Sequence, residues 1–386
     1  MSRLDDLIAE LCPDGVEYRE LGEIALPTRG VRVIRSQLEL EGEYPVFQNS
    51  MIPLGYYEKS NCPANTTFVI SAGAAGEVGY STVDFWAADD CFYFICPEQL
   101  QSRFLYYVLM YQQEYLLSRV RRASVPRLAR SVIENLKIPL PPLPIQQEIV
   151  RILDKFTALE AELEAELEAR MKQYEYYRDD LLTFNNDVPM VKLGDVAVCY
   201  AGATPKTNKK EYWENGFIPW MSSGEVNLGQ VYITEQKITK LGFDMCSTKM
   251  VPANTVVVAL AGQGKTRGMV AITRIPLCTN QSLCSIIPNE KVNSNFLYYY
   301  LKTQYEKLRL ISSGDGTRGG LNLKMLKEYI VPVPPLAEQE RIVSILDRFD
   351  TLVNDITQGL PAEIAARRKQ YEYYRNKLLT FKEKVS

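Results

Sequence analysis

Between Gln146 and Phe184 the chain contains neither glycine nor proline, and its apolar residues fall at helical steps. Ile149, Ile152, Phe156, Leu159, Leu163, Leu167, Met171, Tyr174 and Leu181 recur mostly three or four positions apart. That spacing predicts one helix of about 40 residues, about 60 Å long, with a single apolar stripe. Such a stripe needs a partner, and a second copy supplies it through Ile342, Ile345, Phe349, Leu352, Ile356, Leu360, Ile364, Tyr371, Tyr374 and Leu378. An intramolecular antiparallel pair is the economical solution.

The duplication extends beyond the helices. "IPLPPLPIQQEIVRILDKF" (138–156) matches "VPVPPLAEQERIVSILDRF" (331–349), and "KQYEYYR" occurs at 172–178 and again at 369–375. "VEYRELGEIA" resembles "VPMVKLGDVA", and "FLYYVL" resembles "FLYYYL". Each half reads as a variable domain, a proline-rich extended hinge and a helical segment. The expected segments are 1–138, 139–184, 185–330 and 331–386, the last interrupted near Gly359 and Pro361. The N-terminal "LDDLIAEL" echoes "RDDLLTF", as a circular two-fold plan would produce. The variable domains mix short strands such as "TTFVISAG" and "TVVVALAG" with helices such as "NFLYYYLKTQYEKL", so the expected class is α+β.

Composition removes whole classes of chemistry. The chain has no histidine, which excludes Ser-His-Asp and Cys-His hydrolases and histidine general bases. Eight cysteines without a CxxC pair suggest reduced, buried thiols in a cytoplasmic protein with no metal site. No apolar run approaches the roughly 20 residues of a membrane span, and the N-terminus is no signal peptide. The net charge is −3, yet residues 185–330 carry 17 basic against 11 acidic side chains. A local basic surface binds phosphates even on an acidic chain.

The loops are the candidate site. "AGQGKTRG" (261–268) mimics the end of a P-loop, but Ala259 stands where that motif needs glycine, and the β-like "MVAITRIPL" comes next where a helix is required. A loop presenting Lys265, Thr266 and Arg267 to DNA is the better reading. "SSGDGTRGGLN" offers Ser312, Ser313, Thr317, Arg318 and Asn322; "WMSSGEVN" offers Trp220, Ser222, Ser223 and Asn227. "RVRRASVPRLAR" places Arg119, Arg121, Arg122, Arg127 and Arg130 within one short stretch, and "YPVFQNS", aligned with "FIPWMSS", adds Gln48 and Asn49. Asn, Gln and Arg read base edges, while Ser, Thr and Lys mainly hold phosphates. In the tyrosine phrase, Tyr174, Tyr177, Tyr371 and Tyr374 are spaced to pack along the helix pair. Tyr176 and Tyr373 point elsewhere and, with Arg178 and Arg375, are candidates for binding a partner. No methyltransferase motif such as NPP[YF] occurs, so no catalytic residue is expected.

The layout of hinge and helix ending "YEYYR…LLTF", twice, resembles the DNA-specificity subunits of type I restriction-modification systems. The Leu-Gly starts at Leu21 and Leu193 and "NQSLCSIIP" (280–288) are weaker markers of the same family. The resemblance implies two pseudo-symmetric target-recognition domains separated by a long antiparallel two-helix coiled coil. It implies that each domain reads half of a bipartite double-stranded DNA site. It also implies docking of two modification subunits, which use S-adenosylmethionine to methylate adenine, and of restriction subunits that use ATP and Mg²⁺. The chain itself would need no cofactor. Two other readings stay open: a coiled-coil scaffold without DNA binding, and a P-loop nucleotide enzyme.

Overall fold

The structure, a computed structural model, describes residues 3–185, 187–262, 265–312, 320–355 and 358–384. The chain divides into two compact units, Met1–Ala165 with Glu363–Ser386, and Glu166–Ala362. The division does not fall at the hinges. It cuts the uninterrupted 39-residue helix Leu143–Leu181, and the second helical segment consists of two helices, Leu336–Asn354 and Leu360–Leu378.

Both units use one plan. In the first, a four-stranded sheet runs in the order Thr28–Arg29, Cys91–Tyr93, Thr66–Ile70, Val78–Ser81. The second repeats that order with Ala197–Ala201, Leu283–Pro288, Val256–Ala259 and Val270–Thr273, and adds Gln230–Val231 as a parallel edge. Beside each lies a small mixed sheet whose central strand, Tyr44–Phe47 or Ile218–Met221, pairs antiparallel on one side and parallel on the other. Strand Val256–Ala259 is buried on both faces, which is why it reads as an unbroken apolar run without alternation.

The matching motifs turn out to be matching contacts. Leu21 and Leu193 are fully buried, and each donates its N–H to a carbonyl just before the hinge strand, Leu136 O or Tyr329 O, at 2.8 Å. The glycine after each leucine is required by close approach: a Cβ on Gly22 would lie 2.9 Å from Glu134 Cβ, and one on Gly194 3.0 Å from Lys327 Cβ. The hinge strands Lys137–Pro139 and Ile330–Pro332 pair antiparallel with Tyr18–Glu20 and Met190–Lys192.

Past each hinge a fully buried glutamine fastens domain to helix. Gln146 Oε1 accepts Gln101 N–H at 2.9 Å, and its Nε2 donates to Gln99 O at 2.8 Å and Pro141 O at 2.7 Å. Gln339 repeats all three bonds, accepting from Asn293 N–H at 2.8 Å and donating to Lys291 O at 2.9 Å and Pro334 O at 2.8 Å. A second fastening joins Tyr107 Oη to Asp154 at 2.5 Å and Tyr299 Oη to Asp347 at 2.6 Å.

The helix partners run antiparallel within the first unit: Phe156 meets Tyr374, while Glu160 and Glu164, further along, both meet Arg368. The end of the chain docks at the start of the first domain, where Val16 N–H donates to Lys382 O at 2.8 Å and Lys384 N–H to Val16 O at 2.9 Å. In the second unit the chain runs into Val188 directly from Phe184. The circular plan is thus visible in the first unit as a non-covalent junction where the second has a peptide chain. Among the described residues no helix is long and apolar enough to cross a membrane.

Candidate nucleic-acid interface

In the first unit three loops that are distant in sequence form one surface. Asn49 O accepts the N–H of Ala74 at 2.9 Å, Gly73 N–H donates to Pro126 O at 3.1 Å, and Leu128 N–H to Ser71 O at 2.8 Å. The arginine stretch closes on itself, Arg121 and Arg127 exchanging both backbone bonds at 2.8 and 3.1 Å. The 71–76 turn therefore bridges Gln48 and Asn49 on one side to the arginine hairpin on the other. Arg119, Arg121, Arg122 and Arg127 are exposed, and none has a carboxylate partner among the described residues. Arg119 lies over the Tyr115 ring at 4.9 Å. Arg130 differs, since its guanidinium is held by Glu134 at 2.8 Å.

The same surface includes residues that motif reading overlooked. Arg32 and Arg35 line a cleft of about 230 Å³ together with Gln48 and Asn49. Both are exposed and without an ion pair among the described residues. Two arginines spaced by three in "RGVRVIRS" made no cluster in sequence; only the fold sets them beside the amides.

In the second unit described residues flanking the loops at 261–268 and 312–322 meet. Tyr305 Oη donates to Lys265 O at 2.7 Å, and Leu321 N–H to Leu260 O at 3.0 Å. Lys265 is exposed, and Thr266 and Arg267 are half-buried beside it. A strand, Val270–Thr273, comes after this loop, so the helix a P-loop needs is replaced by sheet. Ser313, Thr317 and Arg318 lie outside the described residues.

Several of the expected contact residues also hold the fold. Trp220 is only 5% exposed and gives its indole N–H to Ala203 O at 3.0 Å. Ser312 is buried, its hydroxyl donating to Arg309 O at 2.5 Å at the end of helix Tyr305–Ile311. Asn322 caps helix Leu323–Glu328 by accepting Met325 N–H at 3.0 Å. The 222–227 turn is clamped by buried Glu225, whose two oxygens accept Ser222 N–H at 2.6 Å and Glu235 N–H at 3.0 Å. Asn227 donates to Gly224 O at 2.9 Å, and Ser222 and Ser223 are half-buried. Ser, Asn and Trp serve turns and cores as readily as they serve ligands, so residue type alone does not separate the two roles.

The tyrosine phrases divide as their spacing predicts. Tyr174 is buried, and both it and Tyr177 contact Phe349. Tyr374 stacks on Phe156, and Tyr371 packs against the first domain's core. Tyr176 and Tyr373 remain 68% and 61% exposed. Arg178 and Arg375 lie over Tyr174 and Tyr371 at 5.9 and 5.6 Å, and Arg178 also pairs with Asp179 at 2.8 Å.

This architecture has known counterparts. Over 95% of this chain and 96% of theirs, it matches the S subunit of the type I restriction-modification system from M. genitalium with a TM-score of 0.64 at 19% identity. The HsdS subunit from Thermoanaerobacter tengcongensis matches with a TM-score of 0.51, also at 19% identity, over 96% of this chain and 99% of that one. In sequence, the chain is 43% identical over 255 residues to the type I restriction enzyme EcoR124I/EcoR124II specificity subunit of Escherichia coli, covering 64% of this chain and 63% of that one. It is 30% identical over 391 residues to a Haemophilus influenzae chain assigned as a type I restriction enzyme specificity subunit, covering 95% and 96%. The family model described as the type I restriction modification DNA specificity domain matches twice, at residues 13–172 and 185–366. With both halves of the duplication accounted for, the chain belongs to the family of type I restriction-modification DNA specificity subunits.

Proposed function

We propose that this chain is the sequence-reading subunit of a type I restriction-modification complex, in which each domain reads one half of a bipartite, asymmetric DNA site. One observation carries the reading: the two units repeat hinge, glutamine fastening and tyrosine–aspartate bond residue for residue, while their exposed loops differ. One frame holding two different surfaces suits two different half-sites. The helix pair sets the gap between half-sites and docks two modification subunits, which bring S-adenosylmethionine and methylate adenine. Restriction subunits with ATP and Mg²⁺ complete the nuclease. This chain supplies no catalytic group to either reaction. The target base must leave the stack to be methylated, and that pocket belongs to the partner.

The test is the salt dependence of DNA binding by the complex of this chain with its modification subunits. Replacing Arg121 and Arg122 by alanine should weaken binding and flatten the plot of log affinity against log salt by about one unit per lost phosphate contact. An unchanged slope and affinity, with Lys265→Ala equally silent, would favour a coiled-coil scaffold without DNA binding.

A further inference from the structure

The second domain has a cleft of about 470 Å³, lined in part by Thr204, Thr207, Trp213, Trp220, Gln236 and Lys237. It shares no motif with the cleft of Arg32, Arg35, Gln48 and Asn49 in the first domain. The two nevertheless occupy the same place in the fold. In the small sheets, Phe47 pairs with Ala87 as Met221 pairs with Thr279. The Ala87 carbonyl accepts Val31 N–H at 2.9 Å, and the Thr279 carbonyl accepts Ala203 N–H at 3.0 Å. The residue before each donor is glycine, because a Cβ on Gly30 or Gly202 would collide with those same carbonyls. Counting on from this anchor, Arg32 and Arg35 stand where Thr204 and Thr207 stand.

An indole bond confirms the alignment. Trp86 Nε1 donates to Val31 O at 2.7 Å, and Trp220 Nε1 donates to Ala203 O at 3.0 Å. The two tryptophans come from opposite strands of the pair, for Trp86 pairs with Val46, and Trp220 occupies the Val46 position. Unrelated side chains thus brace the same wall of the same cleft in both domains. A packing accident has no reason to recur at equivalent positions with a different lining.

We propose that these clefts are the base-reading sites of the two domains, a step that rests on the DNA reading above and assigns it to specific side chains. The first cleft presents guanidinium and amide donors, with no carboxylate among its lining residues. Arginine forks match guanine O6 and N7, and Asn or Gln matches adenine N6 and N7, so this cleft reads purine edges in the major groove. The second offers threonine methyls, tryptophan and the Gln236 amide, with Lys237 and Glu235 beside them. Methyl and amide together suit an A·T pair, through the thymine methyl and adenine N6 and N7. Arg32 and Arg35 are specificity-determining residues of one half-site, and Thr204, Thr207 and Gln236 those of the other.

The experiment maps adenine methylation by the complex of the full chain with its modification subunits, for wild type, Arg32→Ala/Arg35→Ala and Gln236→Ala. Arg32 and Arg35 are exposed, so replacing them leaves the fold intact. Each variant should relax base preference by tenfold or more at a position in one half of the motif, purine for the first and A·T for the second, and leave the other half unchanged. A motif identical to wild type in both variants, with at most uniformly weaker DNA binding, overturns the assignment and leaves these residues as phosphate contacts. A wild-type complex that retains no DNA at low salt overturns the DNA reading itself, so the two failures are distinguishable.

Discussion

Phe156 stacks on Tyr374 with ring centroids 5.4 Å apart and planes 25° from parallel. Phe349, its counterpart in the second copy, stacks on Tyr177, the counterpart of Tyr374, at 5.7 Å and 29°. Each aromatic pair joins the start of one helical segment to the tyrosine phrase of the other. The repeated "KQYEYYR" is therefore half of a contact whose other half is the repeated "LD(K/R)F". Phe156→Ala and Phe349→Ala should each destabilise their own unit by about 2–3 kcal/mol, somewhat below the cost at a fully buried site. Urea denaturation with hydrogen exchange on each helix measures both, and one silent variant would show that the equivalence is only geometric.

The buried glutamines make a sharper prediction. Gln146→Ala strands the Gln101 N–H and two carbonyls away from water, and Gln339→Ala strands their equivalents. Leaving a buried polar group unpaired costs about 1–3 kcal/mol. Each variant should lose at least that much and show faster amide exchange at Gln101 or Asn293. A loss below about 0.5 kcal/mol would mean that the hinge holds without the fastening.

Alkaline titration reports on the same joints. Burial, then the Asp154 carboxylate, raises the Tyr107 phenol well above its ordinary 10.0, and burial and Asp347 do the same for Tyr299. Burial pushes Tyr371 up to about 12. In each case folding raises the pKa, so the stabilisation is complete below pH 10 and is lost as pH rises through the folded value. Phenolate absorbance should resolve a class of tyrosines that ionise near pH 12 or only on unfolding, and Tyr371→Phe should remove one member. Ionisation of all 24 tyrosines in a single step near pH 10, with the fold intact, would contradict this.

The frame was legible because it is written twice. Duplication located the hinges, the long helix and the packing tyrosines, since periodicity and repeated prolines act locally and need no tertiary context. The gripping residues were harder. Gln146 and Gln339 sat inside the quoted repeats, yet a polar residue at the start of a helix has no periodicity to mark it; its identity in both copies was the available signal. The loops carried least. Trp220, Ser312 and Asn322 have the chemistry of DNA ligands, and each also makes a hydrogen bond within the fold that residue type alone does not foretell. Arg32 and Arg35 share a cleft with Gln48 and Asn49 only in the folded chain.

The stretch "LEAELEAELEA" (159–169) lies inside the uninterrupted helix. Deleting one LEAE unit shortens that helix by about 6 Å and rotates its remaining C-terminal part by about 40°, against a rise of about 3.4 Å per base pair. If the helix pair measures the gap, methylome sequencing of cells carrying the deletion should show both half-sites intact at a changed spacing. An unchanged gap would remove the ruler and leave the repeat as a neutral stretch of helix.

Tyr176 and Tyr373 occupy the same position of the tyrosine phrase and are both solvent-facing, although each rests edge-on against its neighbour Tyr177 or Tyr374 at 5.5 and 5.3 Å. An exposed aromatic held rigid by a second ring loses little entropy on binding, and such residues dominate interfaces. Two equivalent tyrosines would then seat two copies of one partner. Tyr176→Ala and Tyr373→Ala should each leave the chain's own stability within about 0.5 kcal/mol and weaken one docking event by about 1–2 kcal/mol. Native mass spectrometry at limiting concentration should show complexes with a single modification subunit for either variant and almost none for the double variant. Full occupancy in the double variant would place the docking surface elsewhere on the helices.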